Sequence, residues 1–392
     1  MVHSSFHNPL SGRAYYIQVQ LNAPVYILNI KKGIKVEQIL SSRLVDVLRS
    51  YTAAEPRGQV PWPKWDEGPV PLAQNERRIY MKKEIMGIHH ITAIVGHPQE
   101  NLDFYAGVLG LRLVKQTVNF DDPGTYHLYF GDEGGKPGTI ITFFPWAGAR
   151  QGVIGDGQVG VTSYMVPKGA MRFWAERLQK FEVPFTKIER FGEQYLAFDD
   201  PHGLHLEIVE REEGEANAWE FGGITPEVAI KGFGGATLLS AEPAKTADLL
   251  ENVMGLERVG VEEDIARFRS SADIGNIIDL KLTPAGRGQM GVGTVHHIAW
   301  RASDDEDQLS WRNYIAEKGY AVTPVKDRNY FNAIYFREHG EILFEIATDP
   351  PGFAHDESQA TMGEKLMLPE KYEQFREQLE HSLIPISVRE LD

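Results

Sequence analysis

The 392-residue chain contains no cysteine. That excludes disulfides, nucleophilic thiols and thiolate metal sites together. Any metal must then be held by imidazole nitrogen and carboxylate oxygen. Basic charge is also scarce. Lys and Arg number 40 against 55 Asp and Glu, a formal net charge of -15, and the cations are scattered rather than gathered into a stripe. Nucleic acid is therefore not expected as a partner, because phosphate binding needs a basic surface. No apolar run approaches the ~20 residues needed to span a bilayer, so no membrane partner is expected either. Met1 to Asn8 lacks the basic-then-apolar pattern of a secretory signal. A cytoplasmic location is the resulting expectation. Hydrophobic residues at 42% suffice for a substantial core, in one large domain or two medium ones.

What is present is an internal repeat. Four segments each open with a short β-like run, continue into a helix-like run and end in alternating strands. They begin at Ile88 with IHHITAIV, at Val159 with VGVTSYMV, at Phe233 with FGGATLLS and at Val295 with VHHIAWRA. Apolar spacing, as in Leu102, Tyr105 and Leu109, supports the helices. Clusters such as Gly131-Asp132 and Asp199-Asp200-Pro201 punctuate the strands as turns. The unit is β-α-β-β-β at a period of roughly 65–70 residues. One unit cannot bury both its sheet face and its helix, so units must pair. The expected fold class is α+β. Modules one and two fill 85–213, a Glu- and Gly-rich linker 214–228, modules three and four 229–350, and a tail with a helix 351–392.

Two histidine pairs stand out. His89-His90 and His296-His297 occupy the same place in the first and fourth modules, where the second has Gly160-Val161 and the third Gly234-Gly235. Packing does not explain a pair kept in two units of four, so the pairs read as a site. Within each pair the side chains point to opposite faces of the strand, so only one can ligate. The flanking Ile88 and Ile91 are both apolar and leave the choice open. Glu345 sits in ILFEIAT among almost wholly apolar neighbours. An unpaired carboxylate there would cost on the order of several kcal/mol. Glu207 matches it in the second module, which has no His, so a structural ion pair is expected; the first module offers Phe143 and Phe144 at that place. Two imidazoles and one carboxylate on one face of a metal leave positions open for substrate and O2, as in non-haem iron(II) oxygenases. His127, in YHLYF, reads as filling a strand position, and His355, in GFAHDE, as a loop residue near the cavity without a role.

Several motifs narrow the reading further: GIHHIT (Gly87 to Thr92), YHLYFGDE (Tyr126 to Glu133), PGT (Pro137 to Thr139), VHHIAW, DRNYF and ILFEIATDPPGFAHDE (Ile342 to Glu357). Together they resemble the hydroquinone-type ring-cleaving dioxygenases of the vicinal-oxygen-chelate superfamily, which has the glyoxalase/bleomycin resistance/extradiol dioxygenase fold. The resemblance covers approximately Met81 to Asp392. It implies that the second His of each pair, His90 and His297, holds Fe(2+) together with Glu345. It places His89 and His296 in the active site as hydrogen-bonding or proton-handling residues. It also puts Arg328 and Tyr335 beside the substrate, with Thr92 as a further substrate contact. A guanidinium suits a phenolate, and a phenol can donate a proton. The implied reactants are a small aromatic diol and O2. Superfamily members often dimerise, so self-association follows by analogy.

A consequence for architecture follows from that ligand set. Ligands ~2.0–2.2 Å from one metal must converge. The first module must then pair with the fourth, leaving the second to pair with the third. Catechol-type relatives pair first with second and third with fourth, so the hydroquinone-type branch is favoured. The rival readings are a catechol-type extradiol dioxygenase, a glyoxalase-like metal-dependent isomerase or thiol transferase, and a metal-free small-molecule-binding protein. The isomerases commonly add a carboxylate from a second module, and a metal-free protein would not need two His pairs with Glu345.

Residues 1–80 form an N-terminal extension outside the resemblance. YYIQVQLNAPVYILNI could make short strands, whereas PRGQVPWPKWDEGPVPLAQ reads as loop. The natural start is expected at Met81, because Glu76-Arg77-Arg78-Ile79-Tyr80 can be encoded around AGG-AGG, a bacterial ribosome-binding sequence.

Overall fold

The computed structural model describes residues 4–7, 15–20, 25–30 and 83–391. The chain divides into two compact units, Met1–Arg78 and Ile79–Asp392. In the first, β1 (Ser4–His7), β2 (Tyr15–Gln20) and β3 (Val25–Ile30) form an antiparallel sheet in that order. The segment PRGQVPWPKWDEGPVPLAQ, expected as loop, lies outside the described residues.

The second unit contains the four repeats. Module one runs through β4 (Ile88–Val95), α1 (Pro98–Leu102), β5 (Arg112–Val118), β6 (Tyr126–Gly131) and β7 (Ile140–Pro145). Module two runs through β8 (Gln158–Val166), α2 (Met171–Lys180), β9 (Phe185–Arg190), β10 (Glu193–Asp199) and β11 (His205–Glu210). Module three has β12 (Gly232–Leu239), α3 (Pro243–Asp248), β13 (Glu257–Glu262), β14 (Ile265–Arg269) and β15 (Ile277–Lys281). Module four has β16 (Thr294–Ala302), α4 (Asp305–Glu317), β17 (Lys326–Asp327), β18 (Phe331–Arg337) and β19 (Leu343–Pro351). Two short helices, α5 (Glu370–Glu373) and α6 (Arg376–Ser382), follow in the tail. Among the described residues, no helix is long and apolar enough to cross a membrane.

The modules pair first with fourth and second with third. One eight-stranded sheet has the order β17-β18-β19-β16-β4-β7-β6-β5, the other β13-β14-β15-β12-β8-β11-β10-β9. The joins are antiparallel, β4 on β16 and β8 on β12, while the opening strand of each module runs parallel to its last. These central strands are buried on both faces, so that even His89, His90 and Thr92 of IHHITAIV lie inside. The helices close the opposite side of each sheet. Trp174 and Leu178 of α2 face the core, as do Trp311 and Ile315 of α4.

The helices of modules one and three differ from simple amphipathic helices. After Leu102 and after Asp248 the chain widens into π-helical turns, Asp103–Val108 and Leu249–Val253. Gly110 (φ +68°) and Gly255 (φ +86°) follow them. The wider turn lets five consecutive residues, Phe104 to Val108, all be buried. A 3.6-residue pattern would leave some of them facing water.

Candidate metal centre

Register brings the candidate ligands together. His90 on β4 lies opposite Ala299 on β16, Ala299 opposite Glu345 on β19, and Glu345 opposite Tyr335 on β18. His297 is two residues from Ala299 and so shares its face. Ala299 carries only a methyl group, which leaves room for the larger side chains to close over it. His90 Nε2 lies 3.2 Å from His297 Nε2 and 3.5 Å from Glu345 Oε2, and His297 Nε2 lies 2.9 Å from Glu345 Oε2. A metal ~2.1 Å from three adjacent ligands would hold them ~3.0–3.4 Å apart. Among the described residues, these three alone form such a group.

Two further observations fit a cation. Glu345 is fully buried, yet neither of its oxygens receives an aligned hydrogen bond. The close approach of His297 is thus a contact of atoms rather than a hydrogen bond. The histidine tautomers are also constrained. His89 Nε2 lies 3.2 Å from the Thr348 carbonyl, which can only accept, so Nε2 carries the proton. In a neutral ring His89 Nδ1 is then an acceptor, and His90 Nδ1, 2.9 Å away, must donate to it. The lone pair of His90 Nε2 is left pointing at the centre. His296 Nδ1 and His297 Nδ1 make the equivalent contact at 2.8 Å.

Electrostatics agree. Burial opposes the charge on Glu345, and the carboxyl falls well below its usual range only through positive charge at His90 and His297; with the imidazoles neutral, a bound cation would have to supply that charge. Burial lowers the imidazoles of His89 and His297, and pushes His296 down to about 3 with help from His297. Neutral imidazole and ionised carboxylate are the forms that bind metals.

The three groups form one side of a cavity of about 380 Å³. His296, Arg328 and Tyr335 line it, whereas His89 and Thr92 do not. The expected opposite facing of each pair does not hold: His296 and His297 both line the cavity, and His89 is buried beside His90, with both rings against Phe331. Thr92 is fully buried with its hydroxyl 2.9 Å from that of Thr142, so it reaches the cavity only through neighbours. Arg328 Nε donates to the Tyr335 hydroxyl at 3.2 Å, and Nη2 to Asp121 at 3.2 Å. Burial pushes the Tyr335 phenol well up, with Glu345 adding to it, so the phenol stays protonated. His355 is exposed and lies outside the cavity wall.

Sequence reasoning missed part of the wall. His127 lines the cavity, as do Phe144 and Trp146. Its Nε2 lies 2.8 Å from the Thr142 hydroxyl and its Nδ1 2.8 Å from that of Tyr129, so both nitrogens are engaged within the protein. The signal was available: Tyr129 is two positions along the same strand, and period-2 alternation puts both on the face that opens to the site. One register expectation needs correction. Thr142 lies opposite Thr92, as Glu345 lies opposite Ala299, so Thr142 rather than Phe143 or Phe144 matches Glu345. A threonine supplies no carboxylate there either.

The second sheet shows the contrasting solution. Glu207 and Asp279 take the matching strand positions, opposite Ser163 and Thr237. Arg190 binds both, with bonds of 2.6 and 2.8 Å to Glu207 and 2.8 Å to Asp279, and Arg267 binds Asp279 at 2.7 Å. Glu207 is thus in the ion pair expected of it. In the second sheet guanidinium groups, not imidazoles, face the buried carboxylates.

Paired βαβββ modules define the glyoxalase fold, and the buried two-histidine, one-carboxylate cluster at one of two pseudo-equivalent positions could hold a metal ion. Residues 87–208 and 232–354 match the model of the Glyoxalase/Bleomycin resistance protein/Dioxygenase superfamily, and the chain belongs to that superfamily. It is 83% identical over 312 residues to a Bacillus subtilis (strain 168) protein provisionally named ring-cleaving dioxygenase MhqO, covering 80% of this chain and 100% of that one. It is 33% identical over 309 residues to the chlorohydroquinone/hydroquinone 1,2-dioxygenase of Sphingobium indicum, covering 76% of this chain and 96% of that one. A crystal structure of a dioxygenase, provisionally so named, from Bacillus subtilis superposes with a TM-score of 0.78 at 83% identity, over 79% of this chain and 100% of that chain.

Proposed function

We propose that this chain is an iron(II)-dependent ring-cleaving dioxygenase that inserts O2 into a hydroquinone-type aromatic diol. The observation that carries the reading is the His90–His297–Glu345 triangle with open space on its cavity side. Two imidazoles and one carboxylate on one face suit non-haem iron(II) with positions left for substrate and O2. Kinship with the hydroquinone dioxygenase of Sphingobium indicum supports a para-diol. Bound there, iron(II) would supply the one-electron chemistry by which an aromatic ring reacts with O2.

The chain's own groups account for the rest. The Arg328 guanidinium stabilises negative charge on a phenolic oxygen. The Tyr335 hydroxyl, protonated and held by Arg328, donates a hydrogen bond in the same region. His296 is neutral and reaches the cavity, so it can hydrogen-bond a substrate hydroxyl without adding charge. Phe144 and Trp146, stacked with an interplanar angle of 14°, give the substrate ring an apolar wall that excludes water. The test is to load the protein anaerobically with iron(II) and compare oxygen uptake on hydroquinone, methylhydroquinone and catechol. Uptake with a para-diol is expected. Faster uptake with catechol than with every hydroquinone would overturn the substrate assignment, and full activity with another metal in place of iron the metal assignment.

A further inference from the structure

Lys115 on β5 is fully buried. Its Nζ lies 2.6 Å from Asp356 Oδ1 and is also in contact with Glu357. A buried ammonium persists only when paired, so β5 and the tail are tied together. The other oxygen of Asp356 is committed elsewhere. Oδ2 accepts hydrogen bonds from the Tyr330 hydroxyl at 2.9 Å and the Asn329 amide at 3.3 Å. Asn329 adopts a left-handed backbone, φ +66°, which few residues other than glycine take up readily. Its N–H is capped by Asp327 Oδ1 at 2.7 Å. The Tyr330 N–H reaches Arg328 O at 2.8 Å, and the Arg328 N–H reaches Phe331 O at 3.0 Å. These bonds close a tight turn with Arg328 at its head, and Arg328 is the guanidinium in the cavity wall.

We propose that Asp356 is a positioning residue: clamped by Lys115, it holds the Asp327–Tyr330 turn and so aims Arg328 at the bound phenol. The inference rests on the reading that Arg328 faces a phenolic substrate. It explains why three separate parts of the chain meet here. Lys115 comes from the first module, the turn from the fourth, and Asp356 from the tail. Docking of the tail thus completes the substrate side of the site, without supplying a ligand to the centre.

A double-substitution cycle tests this, using hydroquinone as the probe. Two quantities are read: kcat/KM of the iron(II)-loaded enzyme, and calorimetric Kd of the zinc-loaded protein, which cannot turn over. Misplacing a binding group by about 1 Å can cost ~10²-fold. Asp356→Ala should therefore weaken hydroquinone binding by about tenfold or more, with metal content unchanged. In an Arg328→Ala background the same substitution should change Kd less than about twofold, because coupled residues are non-additive. Equal losses in both backgrounds would mean a general structural role and overturn the proposal, as would loss of metal. If Asp356→Ala does not fold, Asp356→Asn takes its place, since it keeps the shape but offers an amide to Lys115. Coupling to Arg328 is again expected, and wild-type behaviour would overturn it. Arg328→Ala with unaltered hydroquinone affinity would overturn both this proposal and the role of Arg328. Intact coupling in the zinc protein with no oxygen uptake on any diol would sink the dioxygenase reading alone.

Discussion

Replacing Glu345 with Gln should stabilise the metal-free protein while abolishing its response to metal. Glu345 is fully buried, carries charge, and neither oxygen receives an aligned hydrogen bond. A buried acceptor left in that state costs ~1–3 kcal/mol. The introduced amide has the same shape, carries no charge, and can donate to the lone pair on His90 Nε2. At ~2–4 °C per kcal/mol for a domain of this order, the stripped variant should melt ~2–12 °C above the stripped wild type. Metal reverses the order. A ligand at 100 times its Kd stabilises the native state by ~2.7 kcal/mol, so iron(II) should raise the wild-type transition by ~5–10 °C. The variant, without its anionic ligand, should shift little. Anaerobic scanning calorimetry of chelator-stripped protein, with and without iron(II), measures both effects. A stripped variant that melts below the stripped wild type would refute the idea that Glu345 is held in place for a cation. So would an iron-induced shift equal to the wild type's.

His90→Ala and His297→Ala should each lose iron retention and ring cleavage, whereas Glu207→Gln should retain iron because Arg190 already occupies its oxygens; metal analysis after gel filtration decides. Arg328→Ala and Tyr335→Phe should lower turnover by about 10²–10⁴-fold with iron content unchanged; iron loss in either would place it in the ligand set. Deleting Met1 to Tyr80 should leave activity and melting temperature nearly unchanged, since all four modules lie within residues 83–391; intact mass of protein from the native host would test whether synthesis begins at Met81. Glu193 is disfavoured by burial but held down to about 2 by Arg211 and Arg267. Its folded pKa lies below the unfolded value near 4.5, so its contribution is present above about pH 4.5 and lost as pH falls toward 2. Glu193→Gln should therefore flatten the fall in denaturation midpoint between pH 5 and pH 3, and an unaltered slope would show that the pairing adds no pH-dependent stability.

The modules were legible because each carries local signals. Glycines and aspartates mark the turns, and the buried opening strands carry apolar residues on both faces. The site was legible in part. Two His pairs stood out because the repeat supplies its own comparison, with Gly160-Val161 and Gly234-Gly235 at the same place. Which His of each pair faces the centre was not readable locally, because the strands are apolar on both faces. The roles expected beside the metal divided along the same line. His296 lines the cavity while His89 does not, although the two occupy equivalent positions. His89 Nε2 is instead held 3.2 Å from the Thr348 carbonyl. His127 was underrated because its partners, Thr142 and Tyr129, are identified only by register and side-chain direction.

The sequence by itself determined the donor chemistry and the repeat. Absence of cysteine limits any metal to nitrogen and oxygen, and one carboxylate shares an apolar strand with a His-bearing module. Composition and short-range pattern suffice for both, because each is a property of single residues or single strands. The tertiary structure decided how the groups meet. His90 and His297 are 207 residues apart, and their nitrogens come within 3.2 Å only because β4 lies antiparallel to β16. It also decided that the matching place in the second sheet is filled by Arg190, and that Asp356 reaches the turn bearing Arg328. Such contacts join segments with no common local signal. Sheet order and register set them, and those depend on which faces of the whole chain can be buried together.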